Sequence, residues 1–552
     1  MRIRVLSVVT AVGALMPGVA SPLASQAVSA DRQAAVDAIF GRYDGTDMPG
    51  CAVGVSEAGV INLERAYGMA DLEHAVANTP ISVFENGSVS KQFTAAATIL
   101  LALEGKIAFD DDIRTYFPEI PDYGEPVTIR HLLNHTSGLR DWGSVAGIHG
   151  WPRTTRVHDH RHALDIIARQ RELNYPPGTF YSYTNTGYNL QAMLVERVTG
   201  RSFAEFTKER LFDPLGMTRT EWRDEYRRVV EDRAIAYRPA GGGEFYMDMP
   251  FEQVHGNGGL LTTVGDLLRW TRNLETGEVG GPELLAEMHR QGVLNSGRTI
   301  AYASGLTVTE YRSVPEVQHG GATAGYRAFL TRFPEQGVAV AVLCNRADAN
   351  SGGLAHQVAD LWLDGVAVAE DAVAATPIAV SPDVFERLAG AYRDLRTNGV
   401  IGLGVRDGEL VVNGQVPMIA TAPNTFVGGG RTLVVDGEAP GTRPGFMTVD
   451  QAADTIHFEP VDPFDPTPAE LESYAGTWHS PEAEATYTTE VRDGGLVLVD
   501  RYGQARPIGP LYPDAFGGAG NVFRFSRDAS GAITGMRWGQ GRVWSIRFDR
   551  VR

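Results

Sequence analysis

Phe84-Glu-Asn-Gly-Ser-Val-Ser-Lys-Gln-Phe-Thr94 is the stretch on which the reading of this chain turns. Ser88 and Lys91 lie three residues apart, the spacing that puts two side chains on one face of a helix. Apolar Val89, Phe93, Ile99, Leu100 and Leu103 follow, and Gly105 supplies a stop, so residues 88–103 are predicted as one helix. The partial positive charge of its N-terminal end would lie near Ser88. If that helix is buried, the lysine ammonium is costly to desolvate and its pKa falls. A neutral amine beside a hydroxyl can take its proton, which makes Ser88 a candidate nucleophile and Lys91 its candidate base. Ser90 is adjacent to Lys91 but points to another face, so it is not the nucleophile.

Two further segments strengthen this pair, since Ser-x-x-Lys alone arises often by chance. Tyr183-Thr-Asn185 lies in a Pro- and Gly-punctuated run from 176 to 187, and His319-Gly-Gly321 opens a glycine-rich approach to a strand. A phenol near a lysine can act as its phenolate or relay a proton in acyl transfer, the expected part of Tyr183. The Asn185 amide can orient a substrate carbonyl and tie the network to the lysine. His319 is expected on the substrate or oxyanion side. Gly320 and Gly321 at a strand edge would let a substrate backbone approach closely. The backbone N–H groups of Ser88 and Ala322 would make an oxyanion hole.

The three motifs, in this order, resemble those of class C β-lactamases and penicillin-binding serine hydrolases. The flanking runs at 132–138, 212–217 and 258–263 resemble that family too, and the likeness covers roughly residues 35–365. The resemblance implies an acyl-enzyme mechanism with Ser88 as nucleophile, Lys91 and Tyr183 as the base pair, and no metal or other cofactor. His319 stands where β-lactamases and many carboxypeptidases carry lysine. Histidine is only partly charged near neutrality, so carboxylate recognition should be weaker or pH-dependent. The histidine is common among esterase and aminopeptidase relatives. The resemblance also makes the first strand and the last hairpin strand antiparallel neighbours, so that Cys51 and Cys344 could be joined across them.

The chain has 552 residues, 43% hydrophobic and 21% charged, an ordinary globular composition. Its net charge of −18 speaks against nucleic acid as a partner. The expected partner is a small amide, peptide or ester substrate, and the oligomeric state is left open. Residues 1–30 read as a secretory signal: Arg2 and Arg4, an apolar run over 5–20, then small residues, with Ala20, Ala27 or Ala30 before the cut. An uncleaved anchor is the alternative. No later segment is long and apolar enough for a transmembrane helix, so a periplasmic or secreted location is expected. The only two cysteines exclude a disulfide scaffold and a cysteine-based zinc site; they read as small buried residues, with one disulfide open to an exported chain.

Residues 31–365 mix helical and strand patterns: a helix at 31–43, a hairpin at 50–65, two strands at 328–332 and 338–343, and a helix at 354–363. Chain ends meeting in one sheet between helices suggest an α+β layer fold. Residues 366–382 read as a linker. Beyond it runs an internal repeat. Leu388-Ala-Gly390-Ala-Tyr392 resembles Tyr474-Ala-Gly476-Thr-Trp478, and a Val-Arg-Asp-Gly run follows each, at 405–408 and 491–494. Short strands with Gly and Asp turns predict two small antiparallel β-barrels or sandwiches, over 383–465 and 466–552. A catalytic domain followed by two such barrels resembles the plan of the D-stereospecific aminopeptidases. That activity requires a carboxylate to meet the substrate's ammonium. The three motifs supply none, and Asp500 and Asp514 are candidates by location alone.

The combined expectation is an exported serine hydrolase of D-aminopeptidase type. A carboxylesterase, a weak β-lactamase or DD-peptidase, and a non-catalytic wall-fragment-binding protein are the alternatives. His158, His160 and His162 invite a metal reading, with His158 and His162 on one helical face, but fit better as a polar lead-in to a helix at 162–170. His135 is expected to hold a turn.

Overall fold

The computed structural model describes residues 28–366, 377–436, 443–450 and 455–551. Nearly all of the segment read as a secretory signal, and most of the one read as a linker, lie outside them. Among the described residues no helix is long and apolar enough to cross a membrane.

Six antiparallel strands form the central sheet: Cys51–Glu57 (β1), Val60–Tyr67 (β2), Thr307–Tyr311 (β3), Val314–Thr323 (β4), Tyr326–Phe333 (β5) and Val338–Cys344 (β6). Their spatial order is β3-β4-β5-β6-β1-β2, so strands from the two ends of the domain pair at its centre. Every residue of β6 is buried, because it lies between two strands with both faces covered. Its alternation assigns the faces. Val338, Val340, Val342 and Cys344 pack with Cys51, Val53 and Val55 against helices Ala30–Phe40 and Ser351–Asp360. Ala339, Ala341 and Leu343 face the larger core, where helix Val264–Thr276 crosses. Small residues are required on that side: a Cβ on Gly54 would stand 2.9 Å from Leu268 Cδ1.

Cys51 pairs with Cys344 in the β1–β6 register, and the two sulfurs are bonded across 293 residues of chain. Tying so long a loop restricts the unfolded chain, a contribution of about 2–5 kcal/mol.

The predicted helix at 88–103 divides in two. Gly87–Ser90 forms a 3₁₀ turn and the α-helix proper is Lys91–Leu103. Gly87 has φ +52°, and its Cβ position would be 2.6 Å from Ala322 N, so the turn is shaped by the strand against which it packs. The terminal helix begins earlier than predicted, at Ser351, because Asn350 caps it through Gly353 N (3.0 Å).

Both C-terminal units are closed eight-stranded antiparallel barrels, with strands from Gly390 to Val461 and from Gly476 to Arg550. The repeat has a structural cause. Asp407-Gly408 and Asp493-Gly494 all have positive φ, the two-residue hairpin turn that matches strand twist. Tyr392 and Trp478 occupy equivalent buried positions in the first strand of each barrel. The core of the first barrel is a separate cluster, whereas that of the second is continuous with the catalytic domain. Tyr487 of the second barrel donates to Ile148 O at 2.7 Å.

Candidate active site

Ser88 sits in the 3₁₀ turn and Lys91 opens the helix behind it. The approach to this turn is anchored by a fully buried ion pair, Arg223 Nε to Glu85 Oε2 at 2.8 Å. Ser90 is occupied elsewhere, donating to Asn86 Oδ1 (2.6 Å) and accepting from Leu260 N (3.2 Å).

Lys91 is completely buried. Its Nζ lies 3.1 Å from Ser88 Oγ, 3.0 Å from Asn185 Oδ1 and 2.6 Å from the carbonyl oxygen of Asn257. Loss of hydration holds the amine well below the usual lysine pKa; repulsion from Arg542 and Arg153 adds to this, and Asp141 opposes it. A neutral amine has two N–H donors and one lone pair. Asn185 and Asn257 can only accept at the oxygens they present, so they take the donors, and the lone pair is left for the Ser88 hydroxyl. Asn257 is fixed in turn: Asn189 Nδ2 donates to its Oδ1 at 2.7 Å, and Trp142 Nε1 donates to Asn189 Oδ1 at 2.8 Å.

Tyr183 lies beside this pair, with the lysine nitrogen 4.8 Å from its ring centroid. Burial pushes its phenol up to about 12, against smaller opposing effects of Ser88 and Arg542. At neutral pH it is therefore a phenol, not a phenolate. Its buried hydroxyl has no hydrogen-bond partner of ordinary geometry among the described residues. The Tyr183 segment is shaped by His135, whose φ is +58°. Ser182 N donates to His135 O (2.9 Å) and Thr184 N to His135 Nδ1 (3.2 Å), so this histidine holds the turn. Asn185 N donates to Asp141 Oδ2 at 2.8 Å.

His319 is buried, and its two nitrogens have fixed roles. Nδ1 is 2.6 Å from Gly320 O, which can only accept, so Nδ1 carries the proton and Nε2 accepts from the Tyr302 hydroxyl at 3.1 Å. Burial, with repulsion from Lys91, lowers its pKa to about 4. The ring is thus neutral near pH 7 rather than partly charged, and it supplies no cation for a carboxylate. The shift makes a stability prediction. The unfolded chain takes up this proton near pH 6.5 and the folded chain only near 4, so stability is complete above 6.5 and falls as pH drops through that window. His319 alone should remove about 3 kcal/mol by pH 4. Urea unfolding from pH 7 to 4 should show a shallower loss for His319→Gln than for the native chain; equal slopes would refute this.

Gly320, Gly321 and Ala322 lie in β4 where β3 no longer pairs with it: the β3–β4 register ends at Gln318. This free stretch faces the serine turn. A Cβ on Gly321 would stand 2.0 Å from Asn86 O and 3.1 Å from Ser88 N, so only glycine allows the two backbones to meet. A cavity of about 530 Å³ opens here, lined by Ser88, Tyr183, Asn185, Asn257, His319, Gly320, Gly321 and Ala322, together with Arg153 and Arg542. All the residues expected from the three motifs except buried Lys91 thus line one cavity, and Lys91 lies directly behind Ser88.

The other candidates lie elsewhere. Asp500 closes a barrel turn by accepting from Tyr502 N (2.9 Å) and Gln504 N (3.0 Å), and Asp514 accepts from Tyr474 Oη and Arg527 Nε, both at 2.8 Å. Neither lines the cavity. His158 precedes its helix, which starts at His160, so it shares no helical face with His162; it contacts Trp151 O, while His162 belongs to a capping box with Asp159. His160, Glu196 and His255 do bring ligand-type atoms within 4.8 Å of one another, apart from the Ser88 cavity. Asn257, Asp141, Arg153 and Arg542 were not found from sequence. Asn257 acts through its main chain, which no side-chain pattern reveals, and Arg542 comes from a barrel hairpin.

The sheet, the helical layer and this cavity define a serine hydrolase of the β-lactamase fold. The chain belongs to the Beta-lactamase family, whose profile matches residues 36–361. It is 27% identical over 546 residues to a D-aminopeptidase of Cereibacter sphaeroides (strain KD131 / KCTC 12085), covering 94% of this chain and 98% of that one. A D-aminopeptidase of Gluconobacter oxydans is 30% identical over 325 residues, spanning 59% of this chain and 60% of that relative. Among solved structures, the octameric penicillin-binding protein homologue from Pyrococcus abyssi superposes with a TM-score of 0.55 at 20% identity, over 87% of this chain and 99% of its own, a likeness of fold.

Proposed function

We propose that this chain is an exported hydrolase that cleaves small amides or esters, D-amino-acid peptides among them, through an acyl-Ser88 intermediate. The observation that carries the reading is the placement of buried Lys91 Nζ, 3.1 Å from Ser88 Oγ, with Asn185 Oδ1 and the Asn257 carbonyl as its other partners. Lys91 accepts the Ser88 proton as Oγ attacks the substrate carbonyl. The amides of Ser88 and Ala322 stabilise the oxyanion. The neutral Tyr183 phenol passes a proton to the leaving group and recovers one through Lys91. Water then attacks the acyl-serine along the same route in reverse. Asn185 orients the substrate amide beside the glycine edge of β4. The two D-aminopeptidase relatives support a D-amino-acid substrate. The Cys51–Cys344 disulfide supports an oxidising compartment, in keeping with the signal-like N-terminus.

A fluorophosphonate probe tests the nucleophile, because it labels only an activated serine. Native protein should be labelled at Ser88 and the Ser88→Ala variant should not. A panel of p-nitroanilides of D- and L-amino acids, p-nitrophenyl esters and nitrocefin then ranks substrates. Normal turnover by Ser88→Ala would overturn the assignment.

A further inference from the structure

The charge of the cavity wall is opposite to what a substrate with a free amine needs. Two arginines line it and no carboxylate does, among the described residues. His319 is neutral there, as shown above. The nearby acids are already engaged. Glu252 is buried and paired with Arg153. Asp141 is buried and accepts from Asn185 N, Ser144 N and Ser144 Oγ.

Arg153 is committed to Glu252 through two nitrogens. Arg542 is not. It stands at the tip of the hairpin joining barrel strands Ile533–Gln540 and Val543–Arg550. Its backbone is clamped to the catalytic domain: Asn174 Nδ2 donates to Arg542 O at 3.1 Å, and Trp544 N donates to Asn174 Oδ1 at 2.9 Å. Its guanidinium lies over the Tyr183 ring, 4.9 Å from the centroid, and is 45% exposed. Its only ion pair among the described residues is a long one, Nη1 to Asp141 at 3.9 Å. It also lines a second cavity of about 470 Å³ that the two barrels share with Tyr181, Ser182 and Tyr183. A guanidinium presents five donors in a planar fork suited to a carboxylate. Here the fork is preorganised, stacked, half-exposed and largely unspent.

We propose that Arg542 is the anion-recognising residue of this site, and that the substrate carries a carboxylate which meets it beside Tyr183, with no free amine at that position. This rests on the hydrolase reading and narrows its substrates to amides and esters that bear a carboxylate there and no free amine. The second barrel thereby contributes a specificity residue to the catalytic cavity.

The test reads binding, so that it stands apart from turnover. In the full-length Ser88→Ala protein, calorimetry would compare N-acetyl-D-alanine with N-acetyl-D-alaninamide and D-alaninamide. The acid should bind about tenfold or more tightly than the neutral amide, as for a charge-assisted pair. Adding Arg542→Gln should abolish that preference, and Arg542→Lys should keep part of it; both retain the backbone clamp. Equal binding of acid and amide, a preference that survives Arg542→Gln, tighter binding of D-alaninamide, or no saturable binding of the acid would each overturn the proposal. Failure of the native chain to react with fluorophosphonate would count against the hydrolase reading and leave the binding comparison standing.

Discussion

Lys91→Met should lower the rate of Ser88 acylation by about 10⁴-fold, the range expected when the base of a nucleophile–base unit is removed. The substitution keeps an unbranched side chain, one atom shorter, and removes its basic amine. It leaves the buried Asn257 carbonyl without its 2.6 Å donor, which costs about 1–3 kcal/mol. It also relieves the burial of a polar amine, since an apolar side chain carries no such desolvation cost. The two effects oppose each other, so the melting temperature should move little while reactivity collapses. Stopped-flow labelling with a fluorophosphonate, alongside thermal unfolding, separates these quantities. An acylation rate close to that of the native chain would remove Lys91 from the mechanism.

Gly321→Ala carries the second-largest expected effect. The new methyl group would fall 2.0 Å from Asn86 O, a backbone atom that cannot swing aside as a side chain can. Either β4 or the Gly87–Ser90 turn must shift, and both hold an amide expected to face the oxyanion. Loss of about 10²-fold or more in kcat follows from displacing such a donor, with a stability cost of about 1–3 kcal/mol for the overpacking. The neighbouring Gly320 is the internal control, since its added Cβ meets nothing nearer than Phe329 Cδ2 at 3.5 Å. Similar kcat values for Gly320→Ala and Gly321→Ala would show that the close backbone approach does not govern the reaction.

The parts of this molecule that were legible in sequence share a physical reason. Ser88, Lys91, Tyr183, Asn185 and His319 carry their chemistry in side chains at fixed local spacings. The barrels announced themselves through a repeated Asp-Gly turn whose conformation few other residue pairs tolerate. The β1–β6 pairing, and with it the disulfide, followed from resemblance, since 293 residues of separation leave no local trace. What stayed hidden depends on tertiary placement. Asn257 contributes a carbonyl that any residue possesses. Asp141 is an ordinary helix cap until Asn185 donates to it. Arg542 is one arginine of many until the second barrel docks. The state of His319 was misjudged because intrinsic pKa says nothing about burial. Asp500 and Asp514 were placed by sequence position, and turn chemistry had already claimed them.

Two of the three oxygens that gather round Lys91 Nζ come from distant times in the life of the chain. Asn185 lies 94 residues beyond the lysine and Asn257 lies 166 beyond it. On a nascent polypeptide the helix at 91–103 can form early, but its lysine is still an ordinary hydrated ammonium. It sheds its water only when those later segments have been made and have closed over it. The strand edge opposite Ser88 arrives later still. The nucleophile is thus harmless by construction until the later segments have been made and have folded over its lysine.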